Sequence, residues 1–112
     1  MPASYCPSRG DIVWIEFLST AGHEQSGKRP AMVLSPLAYN RTVGLMLCCP
    51  ITSKEKGYPF EVRIPDGFQI SGVVLSDQLR SLDWKSRNVS LIAKAPRELT
   101  DDVLAKLQAL LA

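Results

Sequence analysis

The stretch Gly22-His23-Glu24-Gln25-Ser26-Gly27-Lys28-Arg29-Pro30-Ala31-Met32-Val33-Leu34-Ser35 passes from a polar segment directly into an apolar one. Residues 22–30 carry too many polar, charged and glycine residues to fill a core, so we expect a surface loop there. Residues 31–35 are apolar enough to form a buried strand. Pro30 restricts Arg29 to extended backbone conformations, so the loop is expected to hold this guanidinium at the edge of a rigid scaffold.

Other segments predict further short strands. Asp11–Phe17 is rich in β-branched and aromatic residues, as strands are. Residues 43–49 predict a third strand that Pro50 ends, as Pro36 is expected to end the second. Neither of these two strands alternates cleanly between apolar and polar residues, so both of their faces should be buried in a barrel or sandwich. Three more strands are expected at residues 60–64, 73–75 and 88–93, with a turn at Pro65-Asp66-Gly67.

The C-terminus changes to a helical period, shown by Val103, Leu104, Leu107, Leu110 and Leu111. Thr100 is the expected N-cap, and Asp101 and Asp102 suit the first turn. Leu99 is expected to pack on Leu104 across the helix start. Residues 1–112 therefore predict a single, mainly β domain, a small curved β-barrel followed by one amphipathic helix.

Composition narrows the class of protein. The chain has 112 residues, 46% of them hydrophobic, which excludes disorder over its whole length. It has no apolar run long enough for a membrane span and no visible signal peptide, so we expect a cytoplasmic protein that does not enter a membrane. The net charge is +2 and the pI is near 8.5. Any contact with nucleic acid should therefore be local, because broad nucleic-acid-binding surfaces usually come with a pI above about 9.

The three cysteines, Cys6, Cys48 and Cys49, cannot all pair within one chain. Cys48 and Cys49 are adjacent on an expected strand, so their side chains should point to opposite faces. Because no Cys-x-x-Cys spacing occurs, we expect buried free thiols in a reducing compartment and no metal site.

Three polar clusters could carry chemistry: residues 22–30, residues 50–59 and residues 75–81. If the second and third strands pair antiparallel, Arg29 lies beside residues 50–53. An arginine facing the hydroxyls of Thr52 and Ser53 is a set of donors expected around a phosphate.

Lys54, Lys56 and Tyr58 would add charge and a stacking surface for single-stranded nucleic acid. The same lysines also fit an ordinary solvated turn. His23 fits a surface loop residue as well as a base, since its ordinary pKa suits either. Glu24 could merely pair with a neighbouring cation.

The order of the motifs is more specific than any one of them. The chain contains residues 10–15, residues 22–35, Pro50-Ile51-Thr52, Lys56-Gly57-Tyr58-Pro59-Phe60-Glu61-Val62 and residues 76–84 in succession. In this order they resemble the MazF-like (PemK-type) toxin endoribonucleases of toxin–antitoxin systems. The resemblance covers nearly the whole chain and weakens from Lys85 onward.

The resemblance implies an SH3-like barrel of the PemK/CcdB type with added helices, working as a homodimer without a cofactor. It implies cleavage of single-stranded RNA, such as mRNA, at a short sequence, and inhibition by a cognate antitoxin whose flexible acidic segment covers the site. The catalytic arginine of the family falls on Arg29, its hydroxyl partner on Thr52, and a further site position on Glu24. The expected RNA-binding residues are His23, Gln25, Lys28, Ser53, Lys54, Lys56, Tyr58 and Gln78.

The implied reaction is attack of a ribose 2′-hydroxyl on the adjacent phosphate, giving a 2′,3′-cyclic phosphate and a 5′-hydroxyl. Arg29 suits charge stabilisation, whereas the pKa of arginine, above about 12, makes it a poor base. The resemblance gives Arg29 an acid–base role, and Glu24 and His23 are the other candidates, so the base stays open.

Two functions of other classes are also compatible with the sequence. One is a non-enzymatic toxin of the same fold that traps a DNA gyrase through the C-terminal helix. The other is an SH3-like module that binds peptides, which needs an aromatic groove.

Overall fold

The computed structural model describes residues 5–17 and 27–112, which form seven strands and two helices. Their order is β1 (Asp11–Phe17), β2 (Gly27–Val33), α1 (Leu37–Val43), β3 (Leu45–Thr52), β4 (Glu61–Arg63), β5 (Val73–Leu75), β6 (Arg80–Asp83), β7 (Ser90–Lys94) and α2 (Arg97–Leu111). All pairings are antiparallel, in the order β4-β5-β3-β2-β1-β7, with β6 also on β3. The predicted mainly β fold with a C-terminal helix is confirmed, although among the described strands this path has two ends, β4 and β7.

The sheet is covered on both faces. The helix-side core joins Met32 and Cys49 to Val103 and Leu107 of α2. The far-side core contains Ala31, Val33, Met46, Cys48, Leu82 and Trp84. Neighbouring residues of β2 and β3 therefore enter different cores, which confirms that both faces of these strands are buried. Cys48 and Cys49 do point to opposite faces, and the three cysteines are free thiols.

Two strand boundaries differ from the prediction because prolines lie inside strands. β2 begins at Gly27, so Arg29 lies within the strand and pairs with Ile15 of β1. β3 begins at Leu45 and continues through Pro50 to Thr52. Pro50 faces Ala31 on β2, and the next residues pair instead with β5. A proline is tolerated at this point because its missing N–H falls where the strand changes partner.

Two elements were not predicted. Helix α1 occupies a segment assigned partly to the third strand, and it ends at Gly44, whose positive φ of 83° closes the helix. Its Asn40 is buried and bonds to the carbonyls of Pro7 and Ser35, while Trp84 donates to the Asn40 carbonyl. β6 occupies part of the expected loop 75–81, because residues 80–83 pair with β3.

Helix α2 begins earlier than expected. Its N-cap is Pro96, and Thr100 lies inside the helix, where its hydroxyl donates to the Pro96 carbonyl at 3.5 Å. The predicted N-cap at Thr100 is therefore wrong, and Glu98 is the acidic residue of the first turn. Proline suits this start because its φ is already close to the helical value. Neither described helix is long and apolar enough to cross a membrane.

Candidate active site

Arg29 and Thr52 lie on the same face of the sheet. The β2–β3 register ends with Ala31 opposite Pro50, and Arg29 and Thr52 each lie two residues beyond this last pair, at the same end of the two strands. Side chains two residues apart on a strand share a face, so Arg29 projects on the side of Ala31 and the far-side core. The prediction that these two residues approach each other depended on antiparallel pairing of the second and third strands, and the structure contains this pairing.

The first cavity at this position has a volume of about 390 Å³. Its floor is the end of the far-side core, with Ile15, Cys48 and Leu82. Its polar lining comes from four residues on separate elements: Arg29, Thr52, Gln78 and Arg80. A cavity with an apolar floor and convergent donors suits the sugar and base of a nucleotide beside its phosphate.

A second cavity, of about 550 Å³, adjoins the first. Arg29 and Thr52 line both cavities, so they stand where the two meet. The second cavity adds Lys28, Ser53 and Lys54 from the ends of the same two strands. Two cavities joined at one arginine and one hydroxyl can hold successive nucleotides with the connecting phosphate between them.

The Thr52 hydroxyl oxygen accepts one backbone hydrogen bond. The backbone N–H of Lys54 donates to Thr52 Oγ1 at 3.2 Å. Because Oγ1 accepts this bond, its own hydrogen is directed elsewhere and is available to an anion. Behind Thr52, a Cβ added at Gly72 would lie 2.2 Å from the Thr52 carbonyl oxygen, so β5 approaches this closely only because residue 72 is glycine.

The loop after β3 is exposed, and it meets the cavities only at its start. Ser53 and Lys54 line the second cavity. Lys56 and Tyr58 line neither cavity, although Tyr58 is 60% exposed and open to a ligand that extends beyond them. The two cavities therefore bring Arg29 and Thr52 together with four predicted RNA-binding residues, Lys28, Ser53, Lys54 and Gln78. Lys56 and Tyr58 lie outside both cavities.

Gln78 and Arg80 form the opposite wall of the first cavity. Gln78 lies in a tight turn in which its N–H donates to the Leu75 carbonyl at 3.1 Å. Arg80 is paired with Cys48 at the start of β6 and was not among the predicted site residues. The sequence placed it within the polar cluster of residues 75–81, but its access to the first cavity depends on the pairing of β6 with β3.

The cavity floor is uncharged at neutral pH. Burial raises the pKa of the Cys48 thiol to about 11, and the nearby Arg80 and Arg87 guanidinium groups act in the opposite direction. Cys48 is thus an apolar surface under the site.

His23, Glu24 and Gln25 lie outside the described residues. Within residues 5–17 and 27–112, no three His, Cys, Asp or Glu side chains are grouped closely enough to hold a metal ion.

The sequence and the fold match known toxins. The family described as PemK-like, MazF-like toxin of type II toxin-antitoxin system matches residues 8–111. The chain is 46% identical over 100 residues to the endoribonuclease toxin MazF of Escherichia coli strain K12, which covers 88% of this chain and 89% of that protein. It is 38% identical over 107 residues to the endoribonuclease toxin ChpB of the same strain, with 90% of each covered.

The structure is similar to a chain in the crystal structure of MazE–MazF (Form II) from Deinococcus radiodurans. The TM-score is 0.93 at 54% sequence identity, covering 96% of this chain and 97% of that one. An endoribonuclease from Mycobacterial species, with a TM-score of 0.77 and 19% identity, shares the fold. The resemblance inferred from the motifs is confirmed, and the chain belongs to the PemK-like, MazF-like toxins of type II toxin–antitoxin systems.

Proposed function

We propose that this chain is a sequence-specific endoribonuclease toxin that cuts single-stranded RNA without a metal ion. The observation that carries the proposal is that Arg29 and Thr52 both line two cavities and lie where these meet. The naming of its relatives as endoribonucleases supports the same reaction class. The names of these relatives do not favour the alternative, a toxin that traps a gyrase without catalysis.

Arg29 stabilises the charge on the reacting phosphate. In the proposed reaction the 2′-oxygen attacks phosphorus, the bond to the 5′-oxygen breaks, and a 2′,3′-cyclic phosphate and a 5′-hydroxyl form. Negative charge grows on the non-bridging oxygens during this attack, and a planar guanidinium can donate to two of them at once. The apolar floor beneath the site lowers the local polarity, which strengthens that interaction.

Thr52 donates a second hydrogen bond to the same phosphate. Its hydroxyl hydrogen is available because Oγ1 already accepts from the Lys54 N–H. This bond restricts the hydroxyl before substrate arrives, so less ordering is needed when the transition state forms.

The base that removes the 2′-hydroxyl proton is proposed to be Glu24 or His23, in the segment that precedes β2. A carboxylate or a neutral imidazole can accept a proton near neutral pH, unlike a guanidinium. The pH dependence of kcat/KM separates them, since a base with the ordinary pKa of glutamate gives a limb near 4 and histidine one near 6.5.

The RNA strand is proposed to run through both cavities. Lys28, Ser53 and Lys54 contact the backbone in the second cavity, and Gln78 contacts a base or sugar in the first. Gln25 and His23, which precede β2 in the sequence, are proposed to bind RNA as well. Lys56 and Tyr58 bind nucleotides beyond the cavities, Tyr58 by stacking.

We further propose a homodimer and a cognate antitoxin as protein partners. The crystal structures of MazE with MazF from Deinococcus radiodurans support an antitoxin for this relative of MazF. The exposed cations Lys28, Arg29, Lys54 and Lys56 would attract an acidic antitoxin segment as they would a phosphate backbone. An mRNA substrate and three free thiols support action in the cytoplasm.

The test is an incubation of the protein with single-stranded RNA in EDTA, beside DNA of the same sequence. We expect cleavage of the RNA alone, because DNA lacks the attacking 2′-hydroxyl. A protein that leaves the RNA intact, or that cuts both polymers equally, contradicts the proposal.

A further inference from the structure

The carboxylate of Glu61 binds the backbone of the loop that joins β3 to β4. Its Oε1 accepts from the Gly57 N–H at 2.8 Å and from the Lys56 N–H at 3.1 Å, and Oε2 lies 3.2 Å from the Lys56 nitrogen. The backbone N–H of Glu61 also donates to the Tyr58 carbonyl at 3.1 Å. One residue at the start of β4 thus holds three successive residues of the loop.

These bonds matter because the loop has little else to fix it. Residues 53–59 are all exposed, and Gly57 has a φ of +82°, which other residues rarely adopt. An exposed segment with few buried contacts opens easily, so its conformation depends on its hydrogen bonds. Bonds to an ionised carboxylate are stronger than bonds between neutral groups.

The base of the loop is also tied to the wall of the first cavity. The Phe60 carbonyl accepts from the backbone N–H of Ser76 at 3.1 Å and from the Ser76 hydroxyl. Ser76 is completely buried and lies two residues before Gln78, which lines that cavity. The loop is therefore anchored next to the site, and Glu61 sets the path of its outer part.

We propose that Glu61 is a positioning residue that holds the loop of residues 53–59 in the shape that binds RNA beyond the cavities. It touches neither cavity, and it acts through the backbone of Lys56 and Gly57. This inference rests on the proposed ribonuclease function. Loss of the carboxylate frees the loop, so substrate binding and choice of sequence weaken while the chemistry at Arg29 and Thr52 continues.

The experiment compares the unmodified protein with Glu61→Ala, Glu61→Gln and Asp66→Ala. For Glu61→Ala we expect KM to rise about threefold to tenfold with kcat changed by less than about twofold, because loop ordering is then added to the cost of binding. The cut sites, mapped on a mixed RNA pool, should become less selective. Trypsin should cleave more rapidly after Lys56, a readout that needs no ribonuclease activity.

The two other variants have different purposes: Glu61→Gln separates hydrogen bonding from charge, and Asp66→Ala is the control for loss of an exposed carboxylate. Glu61→Gln keeps an oxygen that can accept from both N–H groups but lacks the charge that strengthens these bonds, so it should reverse part of the rise in KM and part of the loss of protease resistance. Asp66→Ala removes an exposed carboxylate from the turn after β4 and should behave like the unmodified protein. The inference is overturned if Glu61→Gln restores neither KM nor protease resistance, or if Asp66→Ala changes them as much as Glu61→Ala does.

The outcomes also distinguish this inference from the proposed function. If the unmodified protein does not cut RNA, the ribonuclease proposal fails, while the trypsin result still reports on Glu61. If it cuts RNA and Glu61→Ala leaves KM, cut sites and trypsin cleavage unchanged, the Glu61 inference alone fails. Amide hydrogen exchange in the unmodified protein adds a test without mutation, since fast exchange at both Lys56 and Gly57 would also overturn it.

Discussion

Arg29 and Thr52 line the same two cavities, each two residues beyond the point where the antiparallel pairing of β2 with β3 ends at Ala31 and Pro50. Thr52 is the last residue of β3 and Arg29 is the third residue of β2, and the inner parts of both strands are buried in the two cores. The backbone positions of the two donors are therefore fixed by the packing of their strands. Such rigidity is what stabilisation of a developing phosphate charge requires.

Replacement of Arg29 should test the electrostatic part of the mechanism. Arg29→Ala should lower kcat about 100- to 1,000-fold, the usual effect of removing a donor to a developing oxyanion. Arg29→Lys should restore only part of this, because an ammonium cannot donate in a bidentate geometry. Arg41→Ala, an exposed arginine of α1, is the matched control. Equal kcat for Arg29→Ala and Arg41→Ala would contradict the assignment.

Replacement of Thr52 should show how much the hydrogen bond donated by its hydroxyl contributes to kcat. Thr52→Val keeps the shape and removes the donor, so kcat should fall about 10- to 100-fold, the effect of a hydrogen bond to a charged group. Thr52→Ser should retain most activity, and Thr42→Val on α1 serves as the control at an exposed threonine. Single-turnover cleavage rates report the change, and a Val variant as active as Ser would argue against a donor role.

Gly72 should be intolerant of any side chain. An alanine Cβ there would meet the Thr52 carbonyl oxygen at 2.2 Å, and the φ of +125° is itself unfavourable for alanine. We expect Gly72→Ala to lower the free energy of unfolding by about 3 kcal/mol and to displace Thr52. Gly67→Ala meets nothing within 4 Å and should cost only the backbone strain, about 1 kcal/mol. Urea denaturation compares the two, and similar losses would refute the close contact.

Stability should fall as the solution becomes alkaline. Burial raises the pKa of Cys48 to about 11 and that of Cys49 to about 12, from an ordinary 9.0. Above pH 9 the unfolded chain loses these protons first, so it binds fewer protons than the folded chain and unfolding is favoured as pH rises. Each thiol should lower the free energy of unfolding by up to about 1.4 kcal/mol per pH unit, from pH 9 until the pH reaches the pKa of that thiol in the folded chain.

Urea denaturation between pH 8 and pH 11 measures this effect. Cys49→Ala removes one of the thiols, so its free energy of unfolding should fall less steeply with pH than that of the unmodified protein. Parallel curves for the two proteins would mean that the buried thiol does not contribute.

The parts of the fold that were predictable are those with a strong local pattern. β1 matches its predicted range Asp11–Phe17 because β-branched and aromatic residues fill it. The approach of Arg29 to Thr52 followed from pairing the two most apolar strands, which needs only their order and direction.

The other elements depend on partners that are distant in sequence. α1 is a short helix anchored by the contacts of Asn40 with Pro7 and Trp84, and no local pattern contains those contacts. Pro50 stays in β3 because the strand changes partner there, which only the sheet topology reveals. Arg80 reaches the first cavity because β6 pairs with β3, so it was missed for the same reason.

The central claim is that the 2′-hydroxyl beside the cut phosphate is the nucleophile held against Arg29 and Thr52. Once a cut site is mapped, the measurement compares that RNA in EDTA with a copy carrying a single 2′-deoxy nucleotide on the 5′ side of the cut. We predict that the first RNA yields a 2′,3′-cyclic phosphate and a 5′-hydroxyl, and that the second stays intact. Cleavage of the substituted RNA at the same bond, or a 5′-phosphate on the product, would contradict the account.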